Sequence, residues 1–223
     1  MTEDGKTRRY DATARRAAAD RTRRRVLTAA HRLFTTQGYA ETSVAQIARG
    51  ARVSVDTVYA AVGRKPQLLL AVHDMVLAGG QEPVAAEDRD YVRAVREAPT
   101  ARAKIETYAA ALGHVLPATA PLMNALREAG TTEPECRVVW QAINDRRAAH
   151  MLLFAADLRA TGELRGDLTD RQVADLVWSM NSAEYFGLLA LRGLTPEEYA
   201  GQVSDVWCRT LLAAPAPRVG APG

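Results

Sequence analysis

Apolar residues recur at helical spacing along almost the whole chain, and no stretch alternates apolar with polar positions for more than a few residues. The pattern predicts an all-α fold of about nine to ten helices. Val26, Leu27, Ala30, Leu33 and Phe34 share one face of a first helix over about 20–37, and Gly38 stands where a left-handed residue would end it. Ser43 and Gln46 match a capping box for a short second helix whose apolar side is Val44, Ile47 and Ala48. Ser54 caps a third, carrying Val55, Val58 and Tyr59. Gly63 and Pro66 break and restart the chain into a fourth helix over about 65–78, marked by Leu68, Leu69, Val72, Met75 and Val76.

The periodicity stops at Gly79-Gly80-Gln81-Glu82-Pro83, which reads as a disordered connector. Helices follow at about 88–97, 100–116 and 119–129, with Pro117 and Pro121 separating the last two. A long helix over about 133–160 carries Val139, Trp140, Ile143, Met151, Phe154 and Leu158. Thr169 with Gln172 starts a helix over about 170–192, and Thr195 with Glu198, with Pro196 in the first turn, starts the last over about 196–213. These two show apolar residues beyond a single core-facing stripe, with Trp178, Tyr185 and Leu189 off it. A four-helix seam, two helices from each of two subunits, would cover them. The expected division is a flexible basic tail at 1–19, a helix-turn-helix domain at 20–66, a helical second domain at 67–213 and a flexible tail at 214–223.

Charge changes the picture of the first third. Residues 1–66 hold 14 Lys/Arg against 6 Asp/Glu, a balance of +8, while residues 67–223 hold 15 against 20, or −5. A basic head on an acidic body suits a polyanion, because each neutralised phosphate releases condensed counterions. No apolar run is long enough to span a bilayer and no apolar block opens the chain, so a soluble, cytoplasmic protein is expected. Cys136 and Cys208 form no CxxC pair and read as two packed thiols. His31, His73, His114 and His150 are scattered without metal-ligand spacing, and phosphate-binding and nucleophile-elbow motifs are absent. No metal, cofactor or catalytic residue is therefore expected. The alternative is a small all-α enzyme or ligand carrier whose basic surface meets an acidic partner.

Two short helices joined through Gly50-Ala51-Arg52-Val53 and backed by a longer one make a helix-turn-helix, whose second helix can enter a major groove. Arg21, Arg23, Arg24 and Arg25, then Thr42 and Ser43, then Arg64 and Lys65 stand where side chains or helix starts can grip flanking phosphates. From Arg21 to Met75, the Gly38-Tyr39 turn, Thr42, Ile47-Ala48, Val53-Ser54, Tyr59 and Lys65 together resemble the DNA-binding domain of the tetracycline-repressor (TetR) family of bacterial transcriptional regulators. The resemblance implies a homodimer on a palindromic operator in double-stranded DNA, released by a small-molecule effector, with a repressor as the default. It also implies that Thr42, Tyr59 and Lys65 contact phosphates and that residues 54–60 read bases.

Two departures bear on that assignment. Ala60-Ala61-Val62 offers no hydrogen-bonding side chain, so base reading falls to Val55, Asp56 and Thr57: Val55 suits a thymine methyl and Asp56 a cytosine amine, unless Asp56 is a helix-start charge facing away. Arg52 stands where relatives place a turn glycine. Any left-handed backbone there costs roughly 1 kcal/mol, which a phosphate contact would offset.

In the second domain, Trp140, Asn144 and Met151 on one helix and Trp178, Asn181 and Tyr185 on another, with Tyr108, Leu112 and Met123 between, have the make-up of a mostly apolar ligand site with a few orienting polar groups. They point to a hydrophobic or aromatic effector, and the neighbouring Glu184 would suit a cationic one.

Overall fold

The computed structural model of the chain describes residues 4–79 and 85–214, with side chains from residue 13 onward. Its helices are α1 (Asp4–Glu41), α2 (Val44–Ala51), α3 (Val55–Ala61), α4 (Lys65–Leu77), α5 (Asp90–Glu97), α6 (Ala101–Ala129), α7 (Pro134–Ala160), α8 (Asp170–Met180), α9 (Ala183–Leu191) and α10 (Pro196–Leu211), with a 3-10 turn at Ala86–Asp88. The only strand-like pairing among the described residues is one bridge between Leu164 and Leu212. The fold is all-α. Two compact units divide the chain, one of residues 1–84 with 121–142 and one of residues 85–120 with 143–223.

The first unit is built as its apolar spacing dictates. Val26, Leu27, Ala30, Leu33 and Phe34 of α1 are buried together with Ile47 and Ala48 of α2, Val58 of α3, and Leu68, Leu69, Val72 and Met75 of α4. The first helix starts at Asp4 rather than near residue 20, so most of the expected basic tail continues α1. At Gly38 the helix breaks with φ 82° and ψ 168°, a region open essentially to glycine alone, and resumes to Glu41. The break is where expected, but it is a kink rather than a left-handed stop.

In the second unit Ile105, Tyr108, Leu112 and Leu116 of α6 pack with Met151, Phe154 and Leu158 of α7, Val173 and Val177 of α8, and Tyr199, Val203, Trp207 and Leu211 of α10. Gly113 permits the close approach of α6 to α10, since a Cβ there would lie 2.9 Å from the Pro196 carbonyl oxygen. Lys104 is buried yet satisfied: its ammonium donates to the carbonyls of Val95 and Arg96 at the end of α5 and meets Asp157 at 2.9 Å.

Two expected boundaries differ. Pro117 and Pro121 do not split α6, which runs unbroken through both. Each proline removes one helical donor, but buried Leu116, Ala120, Leu122 and Met123 on either side hold the segment helical, and the Thr119 hydroxyl donates to the Val115 carbonyl at 2.8 Å. Conversely, the helix expected over 170–192 is two, α8 and α9, divided at Asn181 and Ser182, and Ser182 caps α9 by accepting from the Tyr185 amide. Of the expected connector, residues 80–83 lie outside the described residues, as do residues 215–223 of the expected tail.

Candidate functional site

The turn between α2 and α3 is set by local chemistry. Ser43 and Gln46 form the expected capping box, the Gln46 amide donating to Ser43 Oγ at 3.2 Å and the Ser43 amide to Gln46 Oε1 at 2.6 Å. Arg52 then takes up the left-handed conformation, φ 55° and ψ 50°, the only non-glycine residue with positive φ among the described residues. Arg25 of α1 braces this turn, donating to the carbonyls of Ala51 and Arg52. Arg23 donates to the Ala61 carbonyl at the end of α3 at 2.6 Å. These two arginines, expected to face phosphates, here tie the α2–α3 turn and the end of α3 to α1. Arg52→Gly is expected to raise the free energy of unfolding by about 0.5–1 kcal/mol, as the left-handed strain disappears. Urea denaturation measures it, and a loss of stability would show that the Arg52 side chain matters more than its backbone.

α3 is anchored on one side and open on the other. Val58 is fully buried, whereas Asp56, Tyr59 and Ala60 are exposed, with Tyr59 47% accessible, and Val55 and Thr57 are half-buried. Ser54 caps the helix by accepting from the Thr57 amide at 3.1 Å, and its hydroxyl pairs with that of Thr57 at 2.8 Å. Cationic groups are exposed on the neighbouring elements: Arg21 and Arg24 on α1, Arg52 on the turn and Arg64 at the start of α4. Arg64 pairs with Glu135 at 2.7 Å, but both side chains are more than half exposed, so the pair contributes at most about 1 kcal/mol and exchanges readily.

Lys65 sits with its ammonium 4.1 Å from the centre of the Tyr39 ring. Partial burial pushes its pKa below the ordinary lysine value, while Glu133, Cys136 and Glu41 oppose that shift. The Tyr39 hydroxyl in turn meets the Cys136 thiol at 3.1 Å. Thr42 is buried and its hydroxyl donates to the Gly38 carbonyl at 2.7 Å. In this structure its one proton thus braces the kink. Both cysteines are buried free thiols.

Inside the second unit, five of the singled-out residues come together around one that was not. The Arg147 guanidinium donates to Asn144 Oδ1 at 2.8 Å, to the Trp178 carbonyl at 3.1 Å and to Asn181 Oδ1, and lies 5.5 Å from the centre of the Trp178 ring. Asn181 Nδ2 donates to the Tyr108 hydroxyl at 2.7 Å, and that hydroxyl faces Met151 Sδ at 3.6 Å. Burial lowers the pKa of Arg147, with Glu184 among the groups that oppose the shift, and burial raises that of Tyr108. Leu112 belongs to the same core, and Tyr185 packs near Tyr199 with ring centres 6.4 Å apart. Met123 and Trp140 fall in the first unit. The spacing Asn144, Arg147, Met151 puts the arginine on the face already marked by the other two; that was the signal available in the sequence.

Residues 26–72 match the family model described as bacterial regulatory proteins, tetR family. The chain is also 27% identical, over 192 residues covering 83% of it and 84% of the relative, to the HTH-type transcriptional regulator EthR of Mycolicibacterium smegmatis. Together these matches support a tetR-family transcriptional regulator. Solved structures with the same fold include a putative transcriptional regulator from Saccharomonospora viridis in complex with choline (TM-score 0.65, 18% identity, covering 86% of this chain and 98% of that one). Another is NalD of Pseudomonas aeruginosa, the secondary repressor of the MexAB-OprM multidrug efflux pump (TM-score 0.61, 20% identity, covering 88% and 98%). The family and the matched relative are transcriptional regulators, not enzymes. Among the described residues no cluster of side chains suits a metal ion, and no helix is long and apolar enough to cross a membrane.

Proposed function

We propose that this tetR-family regulator is a cytoplasmic homodimeric repressor that binds a palindromic operator and is released when a small hydrophobic or aromatic molecule occupies its helical domain, residues 67–213. The observation that carries the DNA half is α3: Val58 holds it from behind while Asp56, Tyr59 and Ala60 are exposed, with further exposed cations on α1, on the turn and at the start of α4. In this reading Ser54, Val55, Asp56 and Thr57 meet base edges. Arg21, Arg24, Ser43, Arg52, Tyr59, Arg64 and Lys65 hold phosphates, all within a DNA-binding domain of residues 20–66. The outward leucines of α9, Leu188 at 63% and Leu191 at 85% exposed, support a seam between two copies. Such a dimer sets its reading helices about 34–36 Å apart, one turn of DNA.

For the effector, the structural neighbour that holds choline supports a fold able to take up a small guest. Release requires only that the guest bind one conformation better than the operator-competent one, which shifts the population away from DNA.

A mobility-shift series across salt concentration tests the placement of α3. Lys65→Ala is expected to weaken binding to every sequence alike and to shallow the salt dependence by about one ion, whereas Thr57→Ala alters sequence preference. Unchanged binding in both variants would refute it.

A further inference from the structure

The polar groups at the centre of the second unit are unevenly matched. These groups are rich in donors and poor in acceptors. The three bonds of Arg147 use three of the five N–H groups that a guanidinium carries, and all go to neutral oxygens. The Tyr108 hydroxyl accepts from Asn181, and for its own proton it has the Met151 thioether, a weak acceptor. The indole N–H groups of Trp178 and Trp207 are buried with no acceptor among the described residues. Trp207 stacks on Tyr108, with ring centres 6.0 Å apart, and Tyr108 packs on Phe154, so aromatic surface surrounds these donors.

A cation kept in such surroundings loses hydration that neutral amides, together with the electrostatic pull of Glu184, replace only in part. What would satisfy the guanidinium, the phenol and the indole together is one anion with several acceptor lone pairs and an apolar remainder. Planar, bidentate recognition of a carboxylate is what a guanidinium does best.

We propose that the Arg147–Tyr108–Trp178 cluster is the head-group site of an anionic effector, an organic carboxylate with an apolar body. This rests on the effector-sensing role proposed above and narrows it. It also sets aside the cationic guest that Glu184 suggests, because Glu184 acts electrostatically on Arg147 and a cation placed there would meet the guanidinium.

The test uses the purified full chain and four probes: octanoate, 4-butylbenzoate and the primary amide of each. Affinities are read by calorimetry and by the shift in thermal midpoint. Each acid is expected to bind at least about tenfold more tightly than its amide. Arg147→Met brings that ratio to about one, and Arg147→Lys, which keeps the charge but not the fork, retains part of it. Should Arg147→Met fail to fold, Trp178→Phe keeps an aromatic side chain, removes one donor and lowers the ratio of acid to amide affinity.

Amides that bind as tightly as the acids would overturn the anionic class while leaving the sensing role standing. An acid preference unchanged in Arg147→Met and in Trp178→Phe would place the head group elsewhere and overturn the assignment. Silence from all four compounds would overturn it as well, with the operator reading judged separately by its own DNA experiment.

Discussion

Replacing Leu188 and Leu191 together by glutamate is expected to leave a folded monomer whose operator affinity falls by about 10²–10⁴-fold. Both side chains are largely exposed, Leu191 almost wholly, so the change removes little internal packing. Instead it sets like charges opposite one another wherever two α9 helices meet about a two-fold axis, and burying them unpaired is costly. A monomer grips one half-site, and the second head no longer benefits from the high effective concentration that linkage provides. Sedimentation and mobility-shift measurements on the same sample check both parts. A dimer that persists would move the seam away from α9.

Trp207→Ala is expected to cost about 3–5 kcal/mol, the range for removing a large buried aromatic. Globular proteins hold only about 5–15 kcal/mol in total, so the variant should be close to unfolding. Trp207 is fully buried on α10 in a core shared with α6, α7 and α8, and it stacks on Tyr108 at a 15° angle between ring planes. Its N–H has no acceptor among the described residues, so the loss is one of packing rather than of a hydrogen bond. Trp207→Phe, which refills part of the volume, should lose less than half as much. Urea denaturation followed by circular dichroism measures both, and a loss below about 1 kcal/mol for the alanine variant would mean that the core closes over the gap.

The contrast between what the sequence reveals and what it conceals follows the range of the interactions. Capping boxes at Ser43, Thr169 and Thr195 are contacts between residues three apart, and all three form as read. The buried face of α1 is equally local, a matter of helical spacing alone. Pro117 and Pro121 mislead because a local rule says stop, while buried neighbours on both sides favour continuing. The gap at Asn181 is hidden for the opposite reason, since apolar spacing carries across it and Ser182 has no Glu or Gln three residues on to mark a start.

Site residues divide in the same way. Asp56 and Tyr59 on the open side of α3 are legible because helical spacing opposes them to Val58. Arg23 and Arg25 look like phosphate ligands in a run of arginines, and only the packing of α1 on α2 and α3 shows that they hold backbone carbonyls far along the chain. Thr42 is drawn inward by a carbonyl freed at the Gly38 kink. Arg147 escapes notice because an arginine on a helix usually faces water, and its partners lie on another helix, at Trp178 and Asn181.

The central claim is that α3 reads a duplex while its cationic flanks hold the backbone. Footprinting with the purified protein on the DNA upstream of its own and adjoining genes tests it most directly. The account predicts two protected half-sites with dyad symmetry, their centres one helical turn apart, and loss of protection when Lys65 and Arg64 are both changed to alanine. Protection of any DNA to the same degree, or of none of these regions, would contradict it.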